Sequence, residues 1–266
     1  MSIFVFVIYL FRVALTGIWS IWFGIQMIYF SISLIYLEIV LSVTVFNLSI
    51  YHQNVRGLRT KTEVFSRNMS MSDHDVITLT ETWLTESISD SELFDSRYLV
   101  FRRDRDYLAQ GQSRGGGVLV AIRRDLLATP RIEWQSCAED VWVTLLITAS
   151  SPRTTFKIHI CTLYLCEQNL GNNFAAQLNN FLCKLTSLIN KNPLDKFIIM
   201  GDFNMSSISW VPCETYLNPI APTTSHILHF VDTLSLCGLR QFNSNYNAFG
   251  KLLDLVLSNN ELTVSA

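Results

Sequence analysis

Four strand-like segments of this chain end in residues suited to phosphate chemistry. Residues 196–210 read KFIIMGDFNMSSISW, an apolar run that stops at Gly201-Asp202-Phe203-Asn204 and delivers an acid and an amide two positions apart. LSIYHQ ends at Asn54, DVITLT at Glu81 and FKIHICTL at Tyr164. Apolar strands pack together, so their terminal polar groups are expected to meet on one rim of a sheet, the usual place for a site. Asp, Glu, Asn and Tyr offer hard oxygen donors, with no thiolate and no histidine pair. That donor set suits Mg²⁺, which takes one or two carboxylates plus water and substrate phosphate. A carboxylate beside an amide would also orient a water for in-line attack on phosphorus while a metal neutralises the developing charge. Singly, each residue is an ordinary strand-end turn former; the set of four endings points to a site.

The elements that must hold these endings follow from hydrophobic periodicity. Residues 48–54, 75–81, 117–122, 141–147, 156–164, 196–200 and 252–258 are predicted strands, β-rich and partly alternating. Residues 61–69 predict a short helix. In NNFAAQLNNFLCKLTSLIN, Phe174, Leu178, Phe181, Leu182, Leu185, Leu188 and Ile189 recur on one helical face, with Asn172 or Asn173 as the cap. TTSHILHFVDTLSLCG predicts another helix, from a Thr223 or Thr224 cap to Gly238. Helices set between strands predict a mixed-sheet α/β or α+β domain.

At 266 residues the chain suffices for one large α/β domain or two small ones. A net charge of -2 provides no global basic field to advertise nucleic acid. Its 49% hydrophobic and 16% charged residues look membrane-like, but nearly all the excess lies before Asn47. Residues 13–37 carry no charge between Arg12 and Glu38, and residues 3–11 are wholly apolar. That run has the length of a bilayer-spanning helix, about 20 residues, and lacks the basic start and cleavage pattern of a signal peptide. Its Phe, Ile, Leu, Val, Tyr and Ser content equally fits thymine-rich non-coding sequence read in frame. Residues 1–46 are thus expected to form an apolar leader ahead of a domain spanning 48–266. Cys137, Cys161, Cys166, Cys183, Cys213 and Cys237 include no C-x-x-C pair and read as reduced, mostly buried thiols, favouring an intracellular setting.

QNVRGLRTK at 53–61, LTETWL at 79–84, FRRDRD, RGGGVLVAI, GDFNMSSISW and LLDLVLSN occur in a fixed order between about residues 48 and 260. This ordered set resembles the endonuclease/exonuclease/phosphatase superfamily, and within it the apurinic-type endonuclease domain of LINE-like, non-LTR retrotransposons. The resemblance implies a four-layer α/β sandwich and Mg²⁺- or Mn²⁺-dependent hydrolysis of a DNA phosphodiester. By the same resemblance Glu81 would bind the metal, and Asn54 would sit at the metal and phosphate. Tyr164 would contact the scissile phosphate, although the family's proline-rich context after it is absent. Asp202 would align or deprotonate the attacking water, and Asn204 would hold the phosphate. Asp254 matches the acid that orients the family's catalytic histidine.

That histidine marks a departure. The family closes with Ser-Asp-His and a final strand, for which the chain up to Ala266 has no counterpart, so the domain is expected to lack its C-terminal end, nick poorly and carry an open sheet edge. Ser72-Asp73-His74 spells the tripeptide in a loop ahead of the second strand and reads as coincidence. His52 and His159 sit inside strands, and His226 and His229 share a helix face without acids; none replaces it. Arg102, Arg103, Arg105 and Arg114 lie in a locally basic stretch, positioned either to contact DNA phosphates or to form a solvated charged face. The glycines after Arg114 would form a turn. Three readings remain: a DNA-nicking endonuclease, nuclear or cytoplasmic; a membrane-attached phosphodiesterase of lipid headgroups; and a non-catalytic retroelement remnant. No protein partner is indicated.

Overall fold

The apolar runs form two sheets that face one another, as a computed structural model of residues 3–10, 46–110, 114–149, 154–220 and 224–265 describes them. In chain order the first half holds β1 (Ile3–Leu10), β2 (Phe46–Asn54), helix α1 (Thr62–Ser70), β3 (Val76–Thr80), β4 (Tyr98–Arg103), β5 (Val118–Arg123) and β6 (Leu127–Pro130). Then come β7 (Glu139–Ala149), β8 (Thr154–Tyr164), β9 (Gln168–Asn169), β10 (Asn172–Asn173), α2 (Phe174–Lys191) and β11 (Lys196–Asp202). The rest is β12 (Ser209–Cys213), β13 (Tyr216–Ile220), α3 (Ser225–Leu236), β14 (Arg240–Gln241), β15 (Asp254–Ser258) and β16 (Thr263–Ser265). One sheet runs β16-β1-β2-β3-β5-β4 and the other β12-β13-β14-β15-β11-β8-β7-β6, while β9 and β10 pair alone.

Three apolar clusters fill the spaces between layers. Phe65 and Met69 of α1 pack on Ile77, Leu79 and Leu119 on the outer face of the first sheet. Leu48, Ile50, Val118 and Val120 meet Val143, Ile160, Met200 and Val256 between the sheets. On the far side, Leu178, Phe181, Leu182 and Leu185 of α2 join Phe230 and Leu234 of α3 against Trp142, Leu163 and Ile199. The result is a mixed α/β sandwich of two sheets with helices outside. Asn173 caps α2 by accepting the Ala176 amide at 2.9 Å, whereas the Thr224 side chain makes no such bond at the start of α3.

This layering aims the strand ends. β2 runs parallel to β3, and β8 parallel to β11, so Asn54, the segment after Thr80, Tyr164 and Asp202 all emerge at one rim. Asp202 is in register with Tyr164 on one side and Asp254 of β15 on the other. Gly201, just before the acid, is required sterically: a Cβ there would lie 1.8 Å from the Leu163 carbonyl oxygen.

Several expectations change. β4, β6 and the β12–β13 hairpin join the predicted strands. β2 is an inner strand, because β1 pairs antiparallel along it from Ile3↔Gln53 to Leu10↔Phe46. Backbone pairing therefore ties the start of the apolar leader to the sandwich, across the boundary expected near residue 47. Residues 13–37 lie outside the described residues, and no helix among the described residues is long and apolar enough to cross a membrane. Of the six cysteines, Cys161, Cys166 and Cys237 are buried, Cys137 and Cys213 are partly buried, and Cys183 is exposed.

Candidate active site

At the rim a hydrogen bond joins the two sheets: Asn54 Nδ2 donates to Asp202 Oδ2 at 2.9 Å. The second Asp202 oxygen accepts the backbone N–H of Asn204 at 3.1 Å. Asn204 in turn donates its side-chain amide to the Leu165 carbonyl at 2.6 Å. Glu81 completes the group; it accepts the Trp83 indole N–H at 2.5 Å and is hydrogen-bonded to Tyr164. The chain thus brings Asn54, Glu81, Tyr164, Asp202, Asn204 and Asp254 to one rim from five strand ends.

The backbone here is held in an uncommon conformation. Six described residues other than glycine have positive φ, and four of them border this rim: Arg56 (47°), Glu81 (57°), Trp83 (55°) and Asn204 (52°). Such residues persist only where surrounding structure over-determines them, and they gather at functional sites. The pins are visible. Gly57 N–H donates to the Glu81 carbonyl at 2.7 Å, Leu58 to Thr82 at 2.9 Å, and Trp83 N–H to the Gly116 carbonyl at 3.0 Å.

Negative charge accumulates here, with the exposed Arg56 as a nearby cation acting on both Asp202 and Asp254. Burial, then the charge of Glu81, pushes the Asp202 carboxyl up to about 6, although bonds from Asn204 and Asn54 oppose this. Burial and the neighbouring Asp202 push Asp254 up to about 8. Asp254 Oδ1 is buried and accepts no hydrogen bond among the described residues. Burial and Glu81 also raise the Tyr164 phenol, keeping it protonated at neutral pH.

The four arginines of the basic stretch differ in situation. Arg105 is buried and its Nε donates to Glu139 at 2.6 Å. Arg103 bonds the fully buried Asp140 at 2.9 Å, and Arg102 lies 3.3 Å from Asp90 and 3.4 Å from Asp104. These three guanidinium groups are occupied by carboxylates of the fold. Arg114 is exposed. The glycine run after it closes on the same ion pair, with Gly117 N–H donating to Glu139 Oε2 at 2.6 Å.

No histidine hydrogen-bonds to Asp254 among the described residues. His52 Nε2 comes within 4.0 Å of Asp254 Oδ1, but burial depresses His52 to about 3, so it is neutral, and its Nδ1 sits 2.9 Å from Thr78 Oγ1. His74 stacks on Tyr51 at 5.5 Å, before β3 and hence at the end of the sheet remote from Glu81. His159 bonds Asp195 and Thr144 within the sandwich, and His226 lies against Phe174. Two rim residues, Arg56 and Trp83, escaped sequence reasoning. Both lie inside the QNVRG and LTETWL segments that carried the resemblance, which was the available signal.

A sequence profile of the endonuclease/exonuclease/phosphatase family matches residues 51–266. No curated protein sequence matches the chain. Solved structures share the fold at low identity. The APE2 catalytic domain of Xenopus laevis aligns with TM-score 0.53 and 14% identity over 79% of this chain and 82% of its own. The human Nocturnin catalytic domain aligns with TM-score 0.52 and 13% identity over 82% and 86%. The endonuclease domain of TRAS1, a telomere-specific non-LTR retrotransposon, aligns with TM-score 0.51 and 11% identity over 81% and 95%.

Proposed function

This chain belongs to the endonuclease/exonuclease/phosphatase family, and we propose that it is a divalent-metal-dependent phosphodiester hydrolase acting on DNA, of the kind carried by LINE-like non-LTR retrotransposons. The observation that carries the reading is the Asn54–Asp202 bond, which closes two sheet rims into one oxygen-rich group. The retrotransposon assignment rests on the GDFNMSSISW and LLDLVLSN segments.

The donor set suits Mg²⁺ or Mn²⁺. Glu81 is half-buried, Asn54 would contribute an amide oxygen, and Asp202, raised by burial and then by the charge of Glu81, is an acid that a divalent cation would complement. No three His, Cys, Asp or Glu side chains converge as a metal cluster among the described residues. That is compatible with Mg²⁺, which holds one or two carboxylates and fills its shell with water and substrate oxygens. Glu81 and Asn54 would hold the ion, which would neutralise charge on the phosphoryl oxygens.

Asp202, once deprotonated, takes a proton from the attacking water. Its two oxygens are fixed by Asn54 and Asn204, so the base meets the water without reorganising. The protonated Tyr164 would turn its one O–H from Glu81 to a non-bridging phosphate oxygen once the metal takes Glu81, and the side chain of Asn204 would help hold the phosphate. Arg56 and Arg114, both exposed, are the cations placed to hold neighbouring phosphates; Arg102, Arg103 and Arg105 act behind them by stiffening the rim. Among the described residues the histidine beside Asp254 is the neutral His52, so slow turnover is expected.

The test is conversion of supercoiled plasmid to nicked circles. Nicking that requires Mg²⁺ or Mn²⁺, stops with EDTA and falls in Asp202→Asn and Glu81→Gln is expected. Nicking unchanged in Asp202→Asn, or hydrolysis confined to phosphomonoesters or lipid headgroups, would overturn the reading.

A further inference from the structure

Glu81 is positioned by more than its own strand. It lies past the end of β3, with φ of 57°, where the ladder no longer constrains it. Two residues on, Trp83 repeats the left-handed conformation at 55° and returns its indole N–H to Glu81 Oε2 at 2.5 Å. A Trp N–H is a donor only, so this bond fixes which Glu81 oxygen faces the indole.

Trp83 is itself locked on three sides. Its N–H donates to the Gly116 carbonyl at 3.0 Å, and its carbonyl accepts Arg59 Nε. Its ring lies on the backbone of Gly57, where an added Cβ would fall 2.5 Å from Trp83 Cε3. Gly57, at φ of 90°, therefore leaves room for the indole and also donates its N–H to the Glu81 carbonyl. The segment 54–59, Trp83 and the glycine turn thus form one closed loop of contacts around Glu81.

We propose that Trp83 is the positioning residue for Glu81, fixing the orientation of its carboxylate toward a divalent cation. This rests on the metal reading above. An outer partner of a metal-binding carboxylate fixes its direction, and removing such a partner typically weakens metal affinity by about 10–100-fold. Trp83 touches no reacting atom in this account; it acts through Glu81.

The decisive variant is Trp83→Phe in the full chain, which keeps a ring over Gly57 and removes only the indole donor. Mn²⁺ affinity, measured by electron paramagnetic resonance of the free ion, should fall about tenfold, with thermal stability little changed. The Trp83 indole N–H resonance, identified by its loss in the variant, should shift in Glu81→Gln, where its carboxylate acceptor is gone. Equal Mn²⁺ affinity in Trp83→Phe and wild type would overturn the inference and leave the metal reading standing. No Mn²⁺ binding by wild type would overturn both. Lowered thermal stability with unchanged affinity would show a purely structural tryptophan.

Discussion

Two pairs of acids sit in the same sandwich and are treated oppositely. Glu139 and Asp140, at the start of β7, are buried deeply enough that desolvation raises both carboxyls. Each has a guanidinium in contact, Arg105 for the first and Arg103 for the second. Asp140 also accepts from Ser136 and from the Trp142 indole. Asp202 and Asp254 are buried on neighbouring strands with amides, a neutral imidazole and each other for company. A fold that needs a buried acid only as a staple supplies the counter-charge. Among the described residues Asp202 and Asp254 have no guanidinium in such contact, only Arg56 at longer range, and the arrangement costs stability.

The sharpest break is Asp202→Asn. If the Asp202–Asp254 pair is functional, nicking should fall by about 10²- to 10⁴-fold, the usual contribution of a positioned base. The urea midpoint should hold or rise, because the substitution relieves a buried repulsion. A large stability loss would make Asp202 a staple after all.

Arg105→Ala should do the reverse. Stranding Glu139 without its partner is expected to cost about 3–5 kcal/mol in equilibrium unfolding. Arg105→Met with Glu139→Gln should recover much of it.

A pH series probes the Asp254 side. Its carboxyl is raised above the ordinary 3.8 to about 8, so the folded state binds the proton more tightly than the unfolded chain. The associated stability is fully present below about pH 4 and is lost as pH rises through about 8. Wild type should therefore lose stability over that window beyond what Asp254→Asn loses, and added Mg²⁺ should reduce the difference at the alkaline end. Identical profiles for the two proteins would remove Asp254 from the unsatisfied pair.

The smallest effect concerns the arginines. Arg114→Ala should reduce the salt dependence of DNA binding by about one phosphate contact, whereas Arg102→Ala should leave that slope unchanged because its charge faces Asp90 and Asp104. Equal slopes for both variants would void the distinction.

Much of this was legible before any coordinates. Helix α2 announced its buried face through Leu178, Phe181, Leu182, Leu185 and Ile189, because one-sided burial imposes a 3.6-residue period. The rim was legible as a set of polar strand endings. The destinations of Arg103 and Arg105 were not: their partners Asp140 and Glu139 lie more than thirty positions away on the other sheet, and no local pattern encodes such a pairing. The β12–β13 hairpin hid behind Pro212 and Pro219, which weaken a strand signal; Pro212 is tolerated because β12 is an edge, and Pro219 because β13 meets β14 only at Leu217↔Gln241. β1 was obscured by its uninterrupted apolarity, which periodicity alone assigns to no particular element.

The covering of β2 by β1 also constrains how this protein folds. β1 lies between β2 and β16, with Val5 paired to Ser265, so its neighbours come from opposite ends of the described chain. Contacts of such long sequence separation carry a large loop-closure cost and form late. During synthesis the β1–β2 pair would wait, paired on one side, while the second sheet assembles, until β16 arrives beside β1. The outer margin of the first sheet is then the last part of the molecule to become native, and the first from which amide protons should exchange.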